Sequence, residues 1–380
     1  MVVALWLAGL GAAGQYAKIS VVFDQLPTHY PNAGAALGFV VSLVGAVGIV
    51  FGVVAGLVVV QAGLRRALLV ALGSGAVVAG LEAFLPPLPW LLALRGLEGL
   101  SHLVIVVAIP TLIAQISAPH HRAFTLTLWS TFFGVAFSLL VAFGLPLVAW
   151  KGVPALFAAH AVWMAVFAAV LALMLPRDPL REQGPALSWR VVLAQHKEIY
   201  ASPALAAPGV GWLFYTFCFL ALLTILPPFI PENVRAATLA AMPLASIAVS
   251  LTVGVFLLRY VSAIAVIIMG FALSILSLFW LLWVPGDPAA CLALSAALGL
   301  AQGASFAAVP QLCEDDADKA KANGAMAQMG NLGNTTGTPA MLFILVSLGY
   351  AGLITTAICM FVAAILAHLW LHRRRRAVNS

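Results

Sequence analysis

The chain has 380 residues, of which 63% are hydrophobic and only 8% charged. A soluble domain carries about 25% charged residues, so water is excluded as the main solvent. The net charge of +6 does not point to nucleic acid, because the basic residues sit between apolar runs, where membrane topology places them. Strand-like alternation is absent, which argues against a membrane barrel.

Twelve apolar spans follow one another: 2–26, 33–62, 66–86, 88–117, 123–149, 153–175, 202–230, 234–259, 261–285, 288–312, 321–348 and 350–372. Each meets the roughly 20 apolar residues that a helix needs to cross a bilayer. The first run starts at once, with no basic leader before Lys18, and reads as a retained span rather than a signal peptide. One long separator, 176–201, joins span six to span seven. The predicted domains are therefore an N-terminal six-helix bundle (1–175), a central cytoplasmic linker (176–201) and a C-terminal six-helix bundle with a basic tail (202–380).

The chain also echoes itself at an offset of 200 residues: Pro27, Pro31, Gly99 and Pro110 are answered by Pro227, Pro231, Gly299 and Pro310. With both termini placed in the cytoplasm, fourteen of the eighteen Lys and Arg fall on the inner side, ending in the Arg373 to Arg376 run. The positive-inside rule supports that orientation. Both halves then start on the same side, so the repeat is parallel, a pseudo-twofold along the membrane normal. The expected fold is all-α and integral to the membrane, with twelve transmembrane helices in two bundles.

The layout resembles the major facilitator superfamily. The loop Gly56-Leu57-Val58-Val59-Val60-Gln61-Ala62-Gly63-Leu64-Arg65-Arg66 is similar to that family's glycine-aspartate-arginine-glycine-arginine signature, with Val60 and Gln61 at the Asp and first Arg positions. Arg95-Gly96-Leu97-Glu98-Gly99 is similar to its arginine-plus-glycine motif on span four. The resemblance implies alternating access, a cavity lined by spans one and four, and an inner gate at Gly56, Gly63, Arg65 and Arg66. Arg122 and the acidic stretch with Asp315 at the inner end of span ten are expected to join that gate.

Ionisable residues inside spans are costly and mark candidate functional sites. Lys18 and Arg95 lie at similar depth, roughly 8–9 Å below the outer end of their spans at 1.5 Å per residue. Glu98 shares that depth. Two cations and one carboxylate there favour an anionic cargo, while the bland alternative is mutual neutralisation of Arg95 and Glu98, three apart on one helix. Glu98 is the leading proton carrier, with His102 four residues on as a relay. Asp24 and Glu82 lie nearer the outer boundary, where interfacial solvation accounts for both, and Asp24 is kept as a further proton-coupling candidate. His160 reads as structural.

Further candidates for cargo contact are Gln15, Trp129, Trp212, Tyr215 and Gln302. On span eleven Gln328, Asn331 and Thr335 share a face. They suit either cargo binding or helix–helix contact eased by Gly330, Gly333 and Gly337. The four cysteines show no metal-type spacing, and no P-loop, HExxH or GxSxG occurs. No metal or cofactor is expected.

The function expected is secondary active transport of a small organic anion by proton-coupled uptake. The alternatives are proton-coupled efflux and, from another class, an integral-membrane enzyme. The expected setting is the inner (plasma) membrane. The expected partners are solute, protons and lipid, for a monomer.

Overall fold

Inside a bilayer no water satisfies backbone polar groups, so a spanning chain closes its hydrogen bonds within each helix. The computed structural model obeys that rule. It describes residues 1–52, 54–118, 121, 125–126, 128–129, 131–177, 189–313 and 316–379, and among them there is no strand. Ten helices are long and apolar enough to cross a membrane once: Val2–His29, Gly34–Phe51, Leu64–Glu82, Leu88–Ile116, Phe132–Lys151, Val153–Met174, Ala206–Ile225, Glu232–Leu257, Ala263–Trp283 and Pro288–Leu312. They are spans one to ten. An eleventh apolar stretch, Asp318–Ala377, runs for 60 residues. At 1.5 Å per residue it is about three bilayer cores long. It is broken at Gly349, whose φ of 71° and ψ of −169° are non-helical. A side chain is strained at that φ, and glycine is not. The two arms are spans eleven and twelve.

Local sequence sets several ends. Pro288 opens span ten where a missing N–H costs nothing, and the Asp287 carboxylate accepts from Ala290 N at 2.9 Å. Ser262 caps span nine in the same way. Gly63, at φ 88°, makes the sharp turn into span three.

The chain divides into two compact units, Met1–Leu187 and Ser188–Ser380. In the first, span one is buried from Ala8 to Ser20 and packs on spans four, five and six. Leu5, Leu68, Leu72, Ile105, Ile109, Ile113 and Met164 build the core beside it. In the second, span seven packs closely on span eleven. A Cβ at Gly330 would reach Trp212 Nε1 at 2.6 Å, and one at Gly333 would reach Leu213 O at 2.6 Å. The small-residue stripe of span eleven is therefore a helix–helix contact.

The expected linker 176–201 contains a helix, Trp189–Ala201, that belongs to the second unit. The repeat has a physical counterpart. A Cβ at Gly99 would stand 2.5 Å from Val44 O of span two, and one at Gly299 would collide with Ser246 O of span eight. Each glycine lets its helix touch the backbone of the neighbouring helix, at the same place in each half.

Candidate functional site

Four ionisable side chains meet inside the first unit, all with no exposed surface: Lys18, Glu82, Arg95 and Glu98. Lys18 Nζ lies 2.5 Å from Glu82 Oε2 and 2.7 Å from Glu98 Oε1. Arg95 pairs with Glu98 on its own helix and, at 3.5 Å, with Glu82. Two cations face two carboxylates, and the cluster is balanced. Spans one, three and four each supply a part.

The two cations are held differently. Arg95 Nε donates to Val40 O at 2.6 Å, and Nη2 donates to Gln15 O at 2.5 Å and Val41 O at 3.5 Å. Those span-two carbonyls lie just before the 3-10 turn Leu43–Gly45, where the helical ladder changes register. Among the described residues Lys18 meets side chains only. Besides the carboxylates it reaches His160 Nδ1 at 3.3 Å and sits over the Phe157 ring at 5.6 Å. His160 Nε2 donates to Gly11 O at 2.8 Å, which leaves Nδ1 as the acceptor facing Lys18. Gly14 makes room for this imidazole, since a Cβ there would be 3.0 Å from its ring.

A polar chain continues from the cluster. Gln15 Nε2 donates to Ser101 Oγ at 3.1 Å, and Ser101 donates to Ala71 O at 2.7 Å. His102 Nδ1 faces both Gln15 Oε1 at 3.2 Å and Ala12 O at 3.1 Å, so that nitrogen carries the proton. Tyr16 packs edge-on against the His102 ring. Trp129 stacks on Phe132 at 4.2 Å, close to Gly9 of span one.

Sequence reasoning brought Lys18, Arg95 and Glu98 to one depth with His102 on the Glu98 face; the structure joins them and adds Gln15, named from sequence only as a separate cargo candidate. It corrects the reading of Glu82, which is buried and ion-paired rather than solvated at the interface. Charge balance was the missed signal: two cations within spans called for a second carboxylate, and Glu82 ends span three at the right level. His160 also touches the cluster. Asp24 does not join it and lies exposed on the 3-10 turn Phe23–Gln25 near the end of span one.

The second unit has a neutral counterpart. There the Ser246 hydroxyl donates to Gln302 Oε1 at 3.0 Å, and the buried Tyr215 phenol faces the same serine. Positions 215 and 302 are 15 and 102 shifted by 200 residues. Tyr215 is stacked between Trp212 at 4.7 Å and Phe219 at 5.0 Å. Gln328 is turned to the linker helix: its Oε1 accepts from Tyr200 at 2.6 Å and its amide donates to His196 Nε2. Burial pushes the Tyr200 phenol up to about 12, which keeps its proton in place as the donor. Asn331 donates to Ala327 O at 2.8 Å, one turn back.

Of the expected gate, Arg65 donates to Leu175 O and Ala172 O at 3.1 and 2.7 Å, closing the open carbonyls of span six. Arg66 is exposed. Gly56 lies in the helix Ala55–Ala62, with its surroundings outside the described residues, as are Arg122 and Asp315. Among the described residues no group of three His, Cys, Asp or Glu is placed to hold a metal ion.

A family model described as the Major Facilitator Superfamily matches residues 5–260. Solved structures with the same fold include a bacterial homolog of the human lysosomal transporter Spinster, inward-facing and unoccupied. It has 13% identity and a TM-score of 0.73, over 97% of this chain and 95% of that one. The human organic anion transporter MFSD10 (TETRAN) has 15% identity and a TM-score of 0.70, over 97% of this chain and 98% of that one. Comparison with curated protein sequences finds no match.

Proposed function

The chain belongs to the Major Facilitator Superfamily and is a multi-pass membrane transporter that works by alternating access; from that premise we propose that it takes up a small organic anion together with protons. The observation that carries this reading is the charge balance of Lys18, Glu82, Arg95 and Glu98, all fully buried. With all four ionised the cluster is neutral. One proton on a carboxylate makes it cationic by one charge, in a medium where an uncompensated charge costs several kcal/mol. An anion then restores balance. Proton and anion favour each other's binding, which is the coupling that symport requires.

The contacts distribute the roles. Arg95 is fixed by backbone carbonyls of spans one and two, so it acts as the static cation. Lys18 is held by side chains alone, so protonation of Glu82 or Glu98 frees it to meet a carboxylate on the cargo. The Glu82–Glu98 pair carries the proton, and the Gln15–His102 pair extends toward the cargo as neutral hydrogen-bonding groups. The organic anion transporter of similar fold agrees with this cargo class. The distribution of Lys and Arg favours an inner membrane with both termini cytoplasmic.

The test is a screen of organic anions in proteoliposomes with and without an imposed pH gradient. An acidic exterior is expected to drive accumulation above equilibrium. Glu82→Gln and Glu98→Gln are expected to lose that accumulation while keeping exchange of cargo across the bilayer. Undiminished accumulation in both variants would remove the carboxylates from the mechanism. Gradient-driven export would assign efflux instead.

A further inference from the structure

The helix Trp189–Ala201 is not a passive connector. Its inward side is anchored to the second unit: Val192 and Ile199 are buried. His196 and Tyr200 bond Gln328 of span eleven, and Glu198 meets Lys321 at 2.6 Å. Those ties fix the rotation of the helix and hence what it shows outward. At 100° per residue, Trp189, Leu193, Lys197 and Arg190 fall in that order along one arc of about 100°, whose Trp189 edge is shared with Tyr200. Trp189 is 64% and Leu193 66% exposed, and Lys197 and Arg190 are exposed beside them.

An exposed apolar pair bordered by two cations, with no acidic side chain in that arc, is the pattern of a helix lying in a membrane interface. Tryptophan prefers the head-group level. The setting agrees, because Ala206 opens the next span five residues after the helix ends. The basic tail arrives at the same end: Arg375 Nη1 donates to Pro203 O at 3.0 Å. Arg373, Arg374 and Arg376 are exposed around it. Arg374 covers the ring of Trp370, itself more than half exposed, at 5.0 Å.

We propose that the outward arc of the linker helix, with the arginines that end span twelve, is a docking surface for anionic phospholipid head groups. Trp189 and Leu193 enter the acyl boundary, and Arg190, Lys197 and the terminal arginines hold the lipid phosphates. Among the described residues the exposed charges on that arc and on the tail are Arg190, Lys197, Arg373, Arg374 and Arg376, so the occupant is an anionic lipid rather than a zwitterionic one. The surface is separate from the buried cluster and does not depend on what is transported.

The test uses the full chain in liposomes, carrying Cys359→Ser to remove the exposed cysteine and Ala194→Cys for a dye on the outward side of the helix. Energy transfer is compared between head-group-labelled phosphatidylglycerol and phosphatidylcholine. The expected result is a clear preference for phosphatidylglycerol that falls by about fivefold for each cation removed in Arg190→Gln and Lys197→Gln. Trp189→Ala with Leu193→Ala is expected to shift quenching of the dye from brominated acyl chains to aqueous iodide. Equal transfer to both lipids in the parent would overturn the proposal, as would a dye quenched by iodide alone. Both pairs of substitutions lie on exposed positions, and an unchanged elution profile separates a lipid effect from misfolding.

Discussion

Lys18 and Arg95 carry the same charge at the same depth, yet their surroundings predict different consequences when each is altered. Lys18→Met leaves Glu82 and Glu98 with one cation between them, and breaking a buried pair in this way costs about 3–5 kcal/mol. Adding Glu82→Gln removes the surplus charge, so the double variant is expected to recover most of the lost stability. Thermal unfolding in detergent reads the difference, and a double variant no more stable than Lys18→Met would show that the two do not interact. Arg95→Lys is expected to be poorly tolerated despite conserving charge, because one ammonium cannot serve Val40 O, Gln15 O and Glu98 together. The sequence made three members of this cluster legible, since an ionisable residue in an apolar run is conspicuous. Glu82 was harder to read: it is the last residue of its span, where a carboxylate is equally at home in interfacial water. Only the approach of Lys18 from another helix distinguishes the two, and that is tertiary information.

Helices in this protein are positioned by where their backbones touch as much as by their side chains. Gly99 and Gly299 press against carbonyls of spans two and eight, whereas Gly96, one turn earlier on span four, has nothing within 4 Å of a Cβ position. Gly99→Ala and Gly299→Ala are therefore expected to force the helix pairs apart and destabilise the fold, by about 1–3 kcal/mol for overpacking. Gly96→Ala should be neutral or gain up to about 1 kcal/mol from helix propensity. Melting temperatures of the three variants check this, and equal shifts for all three would show that propensity rather than contact decides. The spans themselves were legible because hydropathy over twenty residues is a strong signal. The shared offset of Gly99 and Gly299 marked the repeat, but the contacts they make are tertiary. The helix Trp189–Ala201 was not legible in the same way. Its apolar residues are divided between a face packed on its own unit and a face turned outward, so no long apolar run announces it.

Across the whole molecule the doubled scaffold carries undoubled charge. Positions 15 and 102 in the first unit adjoin four buried ionisable groups, whereas in the second Gln302 bonds a serine and Tyr215 is stacked between aromatic rings. The equivalent places therefore offer different physics to a solute. On the proposed reading, a change of protonation in the first unit alters the net charge that the cargo meets. In the second, tyrosine, serine and glutamine offer hydrogen bonds with no charge to change, and the rings offer apolar surface. Substitutions in the two units should separate accordingly. Tyr215→Phe and Gln302→Ala are expected to weaken apparent cargo affinity about 5–15-fold, the worth of one or two net hydrogen bonds, with the pH dependence of uptake unchanged. Glu82→Gln is expected to flatten that pH dependence, because the substituted amide mimics the protonated carboxyl at every pH. Initial uptake rates against cargo concentration, repeated across external pH, read both effects in one experiment. If Tyr215→Phe or Gln302→Ala altered the pH profile as strongly as Glu82→Gln, the assignment of charge handling to the first unit would fail. If Glu82→Gln changed affinity alone, the buried cluster would be a structural brace and the coupling proton would have to be sought elsewhere.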